Sequence, residues 1–402
     1  MVLYLSAFVA AVAAFNGLAN PYGAWPVSMI DPIYHRGGEG RVGTPYRLRI
    51  EHPTIVLVGS SRVMIGMRIE QGSRDGVLNA GLPAAKLDEV VAVVEVALEN
   101  PNLKRLVWGV DFFDFSQRVA GVFDPDTRLR LEGSRRLMVA DTLLSMDALD
   151  LSRELVVRAA RGRRKLPAAR LMPIPWTEAA IRQEIDKPGR TSLDRADGVE
   201  RDGQLAHWIE VYSRYRLSDR QIALFKRAVA ETRRSGVELV CFVPPMSGYE
   251  LEAIRQTGLW DVFQHWKREL AAIVPYRDFS GYNEIALNDR LFADVGHYKP
   301  ASGFAILRLL LGEDCSRCGE TARMVRDSGL WVEPATIDRV LATQDERRAA
   351  FVRHNSRWSE IVEDVRRRSV SAESATAKAH RNEPASASDR TGSQMPAILR
   401  GR

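Results

Sequence analysis

The feature that most constrains this chain is the run Thr54-Ile55-Val56-Leu57-Val58, which stops abruptly at Gly59-Ser60-Ser61-Arg62. Its apolar, mostly β-branched residues read as a buried strand, and the glycine and serines read as a turn into a helix. Asn79-Ala80-Gly81-Leu82-Pro83 reads as a turn. A helix is expected over 84–99, where Leu87, Val90, Val91, Val94 and Leu98 recur at helical spacing before Asn100-Pro101 closes it. A second strand over 105–110 leads into Gly109-Val110-Asp111. Strand, helix, strand in this order implies a parallel sheet with right-handed crossovers.

The same rhythm returns later in the chain. Ser218 reads as the N-cap of a helix reaching Ser235, with Ile222, Phe225 and Val229 on one face. Residues 237–243 read as a strand leading to Pro244-Pro245, 250–273 as a helix and 276–279 as a short strand. A final helix is expected over 300–311, with Pro300 in the first position that suits it. Residues 20–50, rich in Pro, Gly and Arg, read as a linker into a domain spanning 51–312. Within that domain about 116–205 forms a helical insertion, either a lid facing substrate or a surface excursion. Residues 313–368 read as a helical extension, amphipathic over 336–367, and 369–402 as a disordered tail.

Composition excludes several classes. The 402 residues are 45% hydrophobic and 27% charged, an ordinary globular balance. A net charge of +6 is modest, and the basic residues lack aromatic interleaving, so no nucleic-acid partner is expected. Three cysteines make no disulfide framework. Cys315 and Cys318 form a lone C-x-x-C without a second pair, which favours a local disulfide or free thiols over a metal site. Cys241 lies inside an apolar run and reads as core. Val2 to Phe15 is apolar apart from Ser6, so residues 1–19 are expected to be a signal peptide or membrane anchor. A buried N-terminal helix is the alternative.

In an open α/β sheet, ligands collect at the carboxyl ends of the strands, where a hydroxyl is a candidate nucleophile. Alone, Gly59-Ser60-Ser61 describes a capping turn equally well. Asp294-x-x-His297, placed just before the last domain helix, adds a carboxylate that can orient an imidazole and leave its other nitrogen free to take a proton.

Taken together, these blocks resemble the SGNH (GDSL-type) hydrolase superfamily over about residues 50–312, with the insertion unmatched. The resemblance implies a flavodoxin-like three-layer α/β/α fold with a mainly parallel sheet. It makes Ser61 the nucleophile, His297 the base and Asp294 its orienting partner, with Asn79 and Gly81 at the oxyanion block. It implies no cofactor and no metal. The style is most similar to exported or membrane-anchored bacterial members linked to acylation of cell-surface polysaccharides. An acylated polysaccharide or other ester is then the expected substrate, with a membrane-bound acyl-donor partner and a periplasmic, extracytoplasmic location.

This sequence departs from the family's pattern at two positions. Ser60 replaces the family's aspartate, and Asp111 stands where an oxyanion-stabilising asparagine is expected. An ionised carboxylate cannot donate a hydrogen bond and would repel an oxyanion. Either Asp111 is protonated, or it points away, or another donor such as Arg62 completes the site, or the chemistry is impaired. A non-catalytic glycan-binding scaffold is therefore the competing reading. A nucleotide-binding protein is disfavoured, because no glycine-rich phosphate motif follows the first strand.

Overall fold

A computed structural model describes residues 2–22, 29, 41, 43–67, 76–117, 135–161, 193, 198–313, 319–354 and 356–382. In chain order the helices are α1 (Val2–Ala19), α2 (Gly43–Glu51), α3 (Ser61–Gly66), α4 (Leu87–Leu98), α5 (Arg135–Leu144), α6 (Met146–Ala160), α7 (Val199–Ser213), α8 (Asp219–Arg234), α9 (Gly248–Gln256), α10 (Trp260–Ile273), α11 (Pro300–Leu310), α12 (Glu320–Ser328), α13 (Ile337–His354) and α14 (Arg357–Asn382). The strands are β1 (Ile55–Val58), β2 (Val77–Asn79), β3 (Arg105–Gly109), β4 (Glu238–Val243), β5 (Tyr276–Asp278) and β6 (Leu330–Val332).

These strands form one sheet in the order β2-β1-β3-β4-β5-β6, parallel except for β6, which runs antiparallel to β5. Val56, Leu57 and Val58 are all fully buried, as a central parallel strand covered on both faces requires. One group of helices, α2, α4, α8 and α10, packs together, and a second group, α3, α11 and α12, packs together. The result is the expected three-layer α/β/α fold with a mainly parallel sheet. The chain leaves β1 to one side for β2 and returns to its other side for β3. That reversal opens a crevice at the carboxyl ends of β1 and β3, where ligands bind in such sheets.

Several boundaries move. The linker expected over 20–50 ends in α2, because Pro45 lies in the first helical turn, where its missing N–H costs nothing. The helix expected over 250–273 is two helices, broken at Gly258 with φ +77°. β5 lies where the short strand over 276–279 was expected, whereas β2 and β6, also of three residues, were not expected from the sequence. Through β6 the segment after 312 joins the sheet, so it is more than a helical extension. α14 runs to Asn382, past the boundary at 369 expected for the tail, and the rest of that tail lies outside the described residues. The Cys315/Cys318 pair also lies outside them. Cys241 is a free, buried core thiol, as expected.

α1 packs on α5 and α6, where the Asn16 amide donates to the Leu143 carbonyl at 2.9 Å. Its other faces are not buried: Leu3, Tyr4, Leu5, Phe8 and Leu18 are all exposed. Among the described residues no helix is long and apolar enough to cross a membrane.

Candidate active site

At Gly59 the chain turns sharply out of β1 with φ +151°, and a Cβ there would come within 2.8 Å of the Gly109 carbonyl oxygen. Glycine is what lets the ends of β1 and β3 approach. Ser60 then caps α3, its hydroxyl accepting the Arg62 N–H at 3.2 Å and donating to Asp111 Oδ2 at 2.5 Å. Ser61 opens the helix, and its N–H bonds to no described residue. The capping serine and the candidate nucleophile are thus adjacent residues with separate tasks.

The loop before α11 is closed by an antiparallel bridge between Phe292 and Tyr298 and by the Ala293 N–H donating to the His297 carbonyl at 2.8 Å. Within it Asp294 Oδ1 accepts the N–H groups of Gly296 and His297, each at 2.9 Å, an Asx turn that aims the carboxylate back at its own loop. His297 Nδ1 lies 2.8 and 2.9 Å from the two Asp294 oxygens, and Nε2 lies 2.9 Å from Ser61 Oγ. A carboxylate only accepts, so Nδ1 carries the proton and the Nε2 lone pair faces the serine hydroxyl. Burial pushes the Asp294 carboxyl up, but the His297 hydrogen bond and charge and the two amides pull harder and hold it below the ordinary range. Sequence positions 61, 294 and 297 therefore meet as a serine–histidine–aspartate chain at the crevice.

The other expected site residues are arranged differently. Asn79 Nδ2 donates to the Val63 and Met67 carbonyls at 2.9 and 3.0 Å, clamping the end of β2 to α3. Its Oδ1 accepts the Gly81 N–H at 3.0 Å, so the expected oxyanion donor of Gly81 has an internal partner. Arg62 is 1% exposed and is no open substrate contact. Its Nη1 donates to Asp111 Oδ1 at 3.0 Å, its Nη2 to Glu250 Oε1, and its Nε to the Gly296 carbonyl at 3.0 Å. Asp111, fully buried, points at Ser60 and Arg62 instead of serving as an oxyanion donor. Burial pushes the carboxyls of Asp111 and Glu250 up, against the pull of the guanidinium.

Residues that sequence reasoning missed brace the site from outside. Glu250 of α9 also accepts from the Tyr212 hydroxyl at 2.5 Å. Gln204 of α7 accepts the Val295 N–H at 3.2 Å, and the Ser247 hydroxyl donates to the Val295 carbonyl at 2.6 Å. Trp208 lies so close to Gly296 that a Cβ there would come within 2.8 Å of the indole. α7 overlaps the end of the expected insertion, so that part is no surface excursion. Leu205, Trp208, Ile209 and Tyr212 recur at helical spacing and are the local signal for a buried helix face here. Nothing local marks Glu250.

No protein-family model matches this chain, and a search of curated proteins finds no match to it.

Proposed function

We propose that this protein is a serine acyl-hydrolase or O-acyltransferase acting on an acylated cell-surface or exported polysaccharide or a related ester. The observation that carries the reading is the unbroken chain from Ser61 Oγ through His297 to Asp294, at 2.9 and 2.8 Å, at the carboxyl edge of a parallel sheet. In this reading Ser61 Oγ attacks the ester carbonyl carbon while His297 Nε2 takes its proton, and Asp294 stabilises the imidazolium. Nε2 returns the proton to the leaving alcohol as the C–O bond breaks. Water, or a sugar hydroxyl, then attacks the acyl-serine by the same steps in reverse. The Ser61 N–H supplies one oxyanion donor, and Gly81 N–H supplies a second when the oxyanion replaces Asn79 Oδ1 as its acceptor. One such donor is worth about 2.7–4 kcal/mol.

The polysaccharide substrate, a membrane-bound acyl-donor partner and a periplasmic location rest on the resemblance to SGNH hydrolases. The uncharged α1 with its exposed apolar side chains supports attachment to a membrane face. The engaged Gly81 N–H and the carboxylate at 111 favour the second reading, a catalytically impaired scaffold that binds glycan.

A fluorophosphonate probe decides between them. Labelling that maps to Ser61 and disappears in Ser61→Ala and His297→Ala is the expected outcome. Absence of labelling and of acetyl-ester hydrolysis in well-folded protein would sink the enzyme reading. A reporter fused after Pro53 that is never exported would sink the location.

A further inference from the structure

Beneath the Ser61–His297–Asp294 chain lies a second set of charged groups that the reaction does not consume. Arg62 is 1% exposed, and Asp111 and Glu250 are fully buried. A cation withdrawn from water this completely must be paired and hydrogen-bonded, and its planar fork imposes geometry on whatever pairs with it. Here the fork reaches three elements at once: Asp111 at the end of β3, Glu250 on α9, and the carbonyl of Gly296, the residue before His297. Its faces lie against Phe113 and Trp208, with ring centroids 5.5 and 5.4 Å from the guanidinium carbon. Among the described residues, Arg62 is the one polar link between α3 and the Asp294–His297 loop apart from the Ser61–His297 bond itself. It also adjoins Ser61 in sequence, so neither residue's backbone can shift without the other.

Resting on the acyl-transfer reading, we propose that Arg62 is a positioning residue that registers the Asp294–His297 loop on the Ser61 turn, with Asp111 and Glu250 as the counter-ions that aim its fork. This gives the aspartate at 111 a task of its own. An asparagine there would keep an acceptor for Nη1 but leave Glu250 as the one counter-ion of the pair.

The test uses the full chain, with the rate of fluorophosphonate labelling and aryl-acetate hydrolysis as readouts. Arg62→Lys keeps the charge but loses the fork. A misplacement of about 1 Å can cost about 100-fold in rate, so folded Arg62→Lys is expected to label about 100-fold more slowly, with kcat reduced and KM nearly unchanged. If that variant does not fold, the Glu250 pair carries the test. Glu250→Ala slows labelling, and Glu250→Gln, which keeps an acceptor for Nη2, restores most of it. Wild-type labelling rates in folded Arg62→Lys, or in Glu250→Ala when the lysine variant does not fold, would overturn the inference. So would Asp111→Asn labelling faster than wild type, since that would make position 111 an oxyanion position. An unlabelled wild-type chain overturns the acyl-transfer reading and this inference with it, whereas labelled wild type with equally labelled variants overturns the inference alone.

Discussion

Among the described residues, Arg62 and Lys267 are buried at the carboxyl ends of strands, and their surroundings differ. Lys267 is fully buried, and its Nζ donates to Asp278 Oδ2 at 2.7 Å, the Ser280 carbonyl at 3.0 Å and Gln344 Oε1 at 3.2 Å. Three donors meet three acceptors, one carboxylate balances one ammonium, and the result pins α13 to the end of β5. Arg62 faces two buried carboxylates, and Glu250 Oε2 has no hydrogen-bond partner. Balanced and satisfied, the first cluster reads as structure. The second has two buried carboxyls, both pushed up by burial, and an unmet acceptor beside Ser61, a cost that stability alone does not explain.

The sharpest way to separate the two clusters is to remove the chemistry and leave both in place. Ser61→Ala should abolish hydrolysis, a loss of several orders of magnitude, without changing the thermal melt. Next is Lys267→Met, which strands the buried Asp278 carboxylate. It should destabilise the fold by about 3–5 kcal/mol in urea melts while activity per folded molecule stays at the wild-type level. A melt unchanged by Lys267→Met, or activity lost with it, would erase the contrast with Arg62.

A smaller effect concerns pH. Asp294 is held below the ordinary aspartate value of about 3.9. A carboxyl lowered in the folded state contributes stability that is present above its unfolded pKa and lost as pH falls through the folded one. Wild-type melting temperature should therefore fall on acidification below about pH 4, and Asp294→Asn should show a shallower fall over the same window. Smallest is Ser60→Ala, which removes the α3 cap and one bond to Asp111. It should cost about 1 kcal/mol in a denaturant melt and slow labelling only modestly, because Arg62 still reaches Asp111.

Much of the architecture was legible because it is local. β1, β3 and β4 announce themselves as short apolar runs, and α4 and α8 as helical stripes. Ser218 caps α8 as expected, its hydroxyl accepting the Gln221 N–H at 3.3 Å. Asp294-x-x-His297 is legible for the same reason, since three residues on one turn suffice to bring carboxylate and imidazole together. β5, also three residues long, was legible at 276–279, whereas β2 and β6 were not, each being defined by the neighbour it pairs with.

The candidate site divides along the same line. The sequence alone determined a hydroxyl at the end of a buried strand and an oriented imidazole elsewhere in the chain. The resemblance already made Ser61 the nucleophile and His297 its base; only the tertiary structure decided that Ser60 caps α3 and that Asn79, Arg62 and Asp111 turn inward. Arg62 and Glu250 are 188 positions apart in sequence, and Arg62 and Gly296 are 234 apart. No local pattern records such partners. They meet because the parallel sheet brings the ends of β1, β3 and β4 to one edge, and a buried guanidinium is tolerated only where acceptors from those ends converge on it.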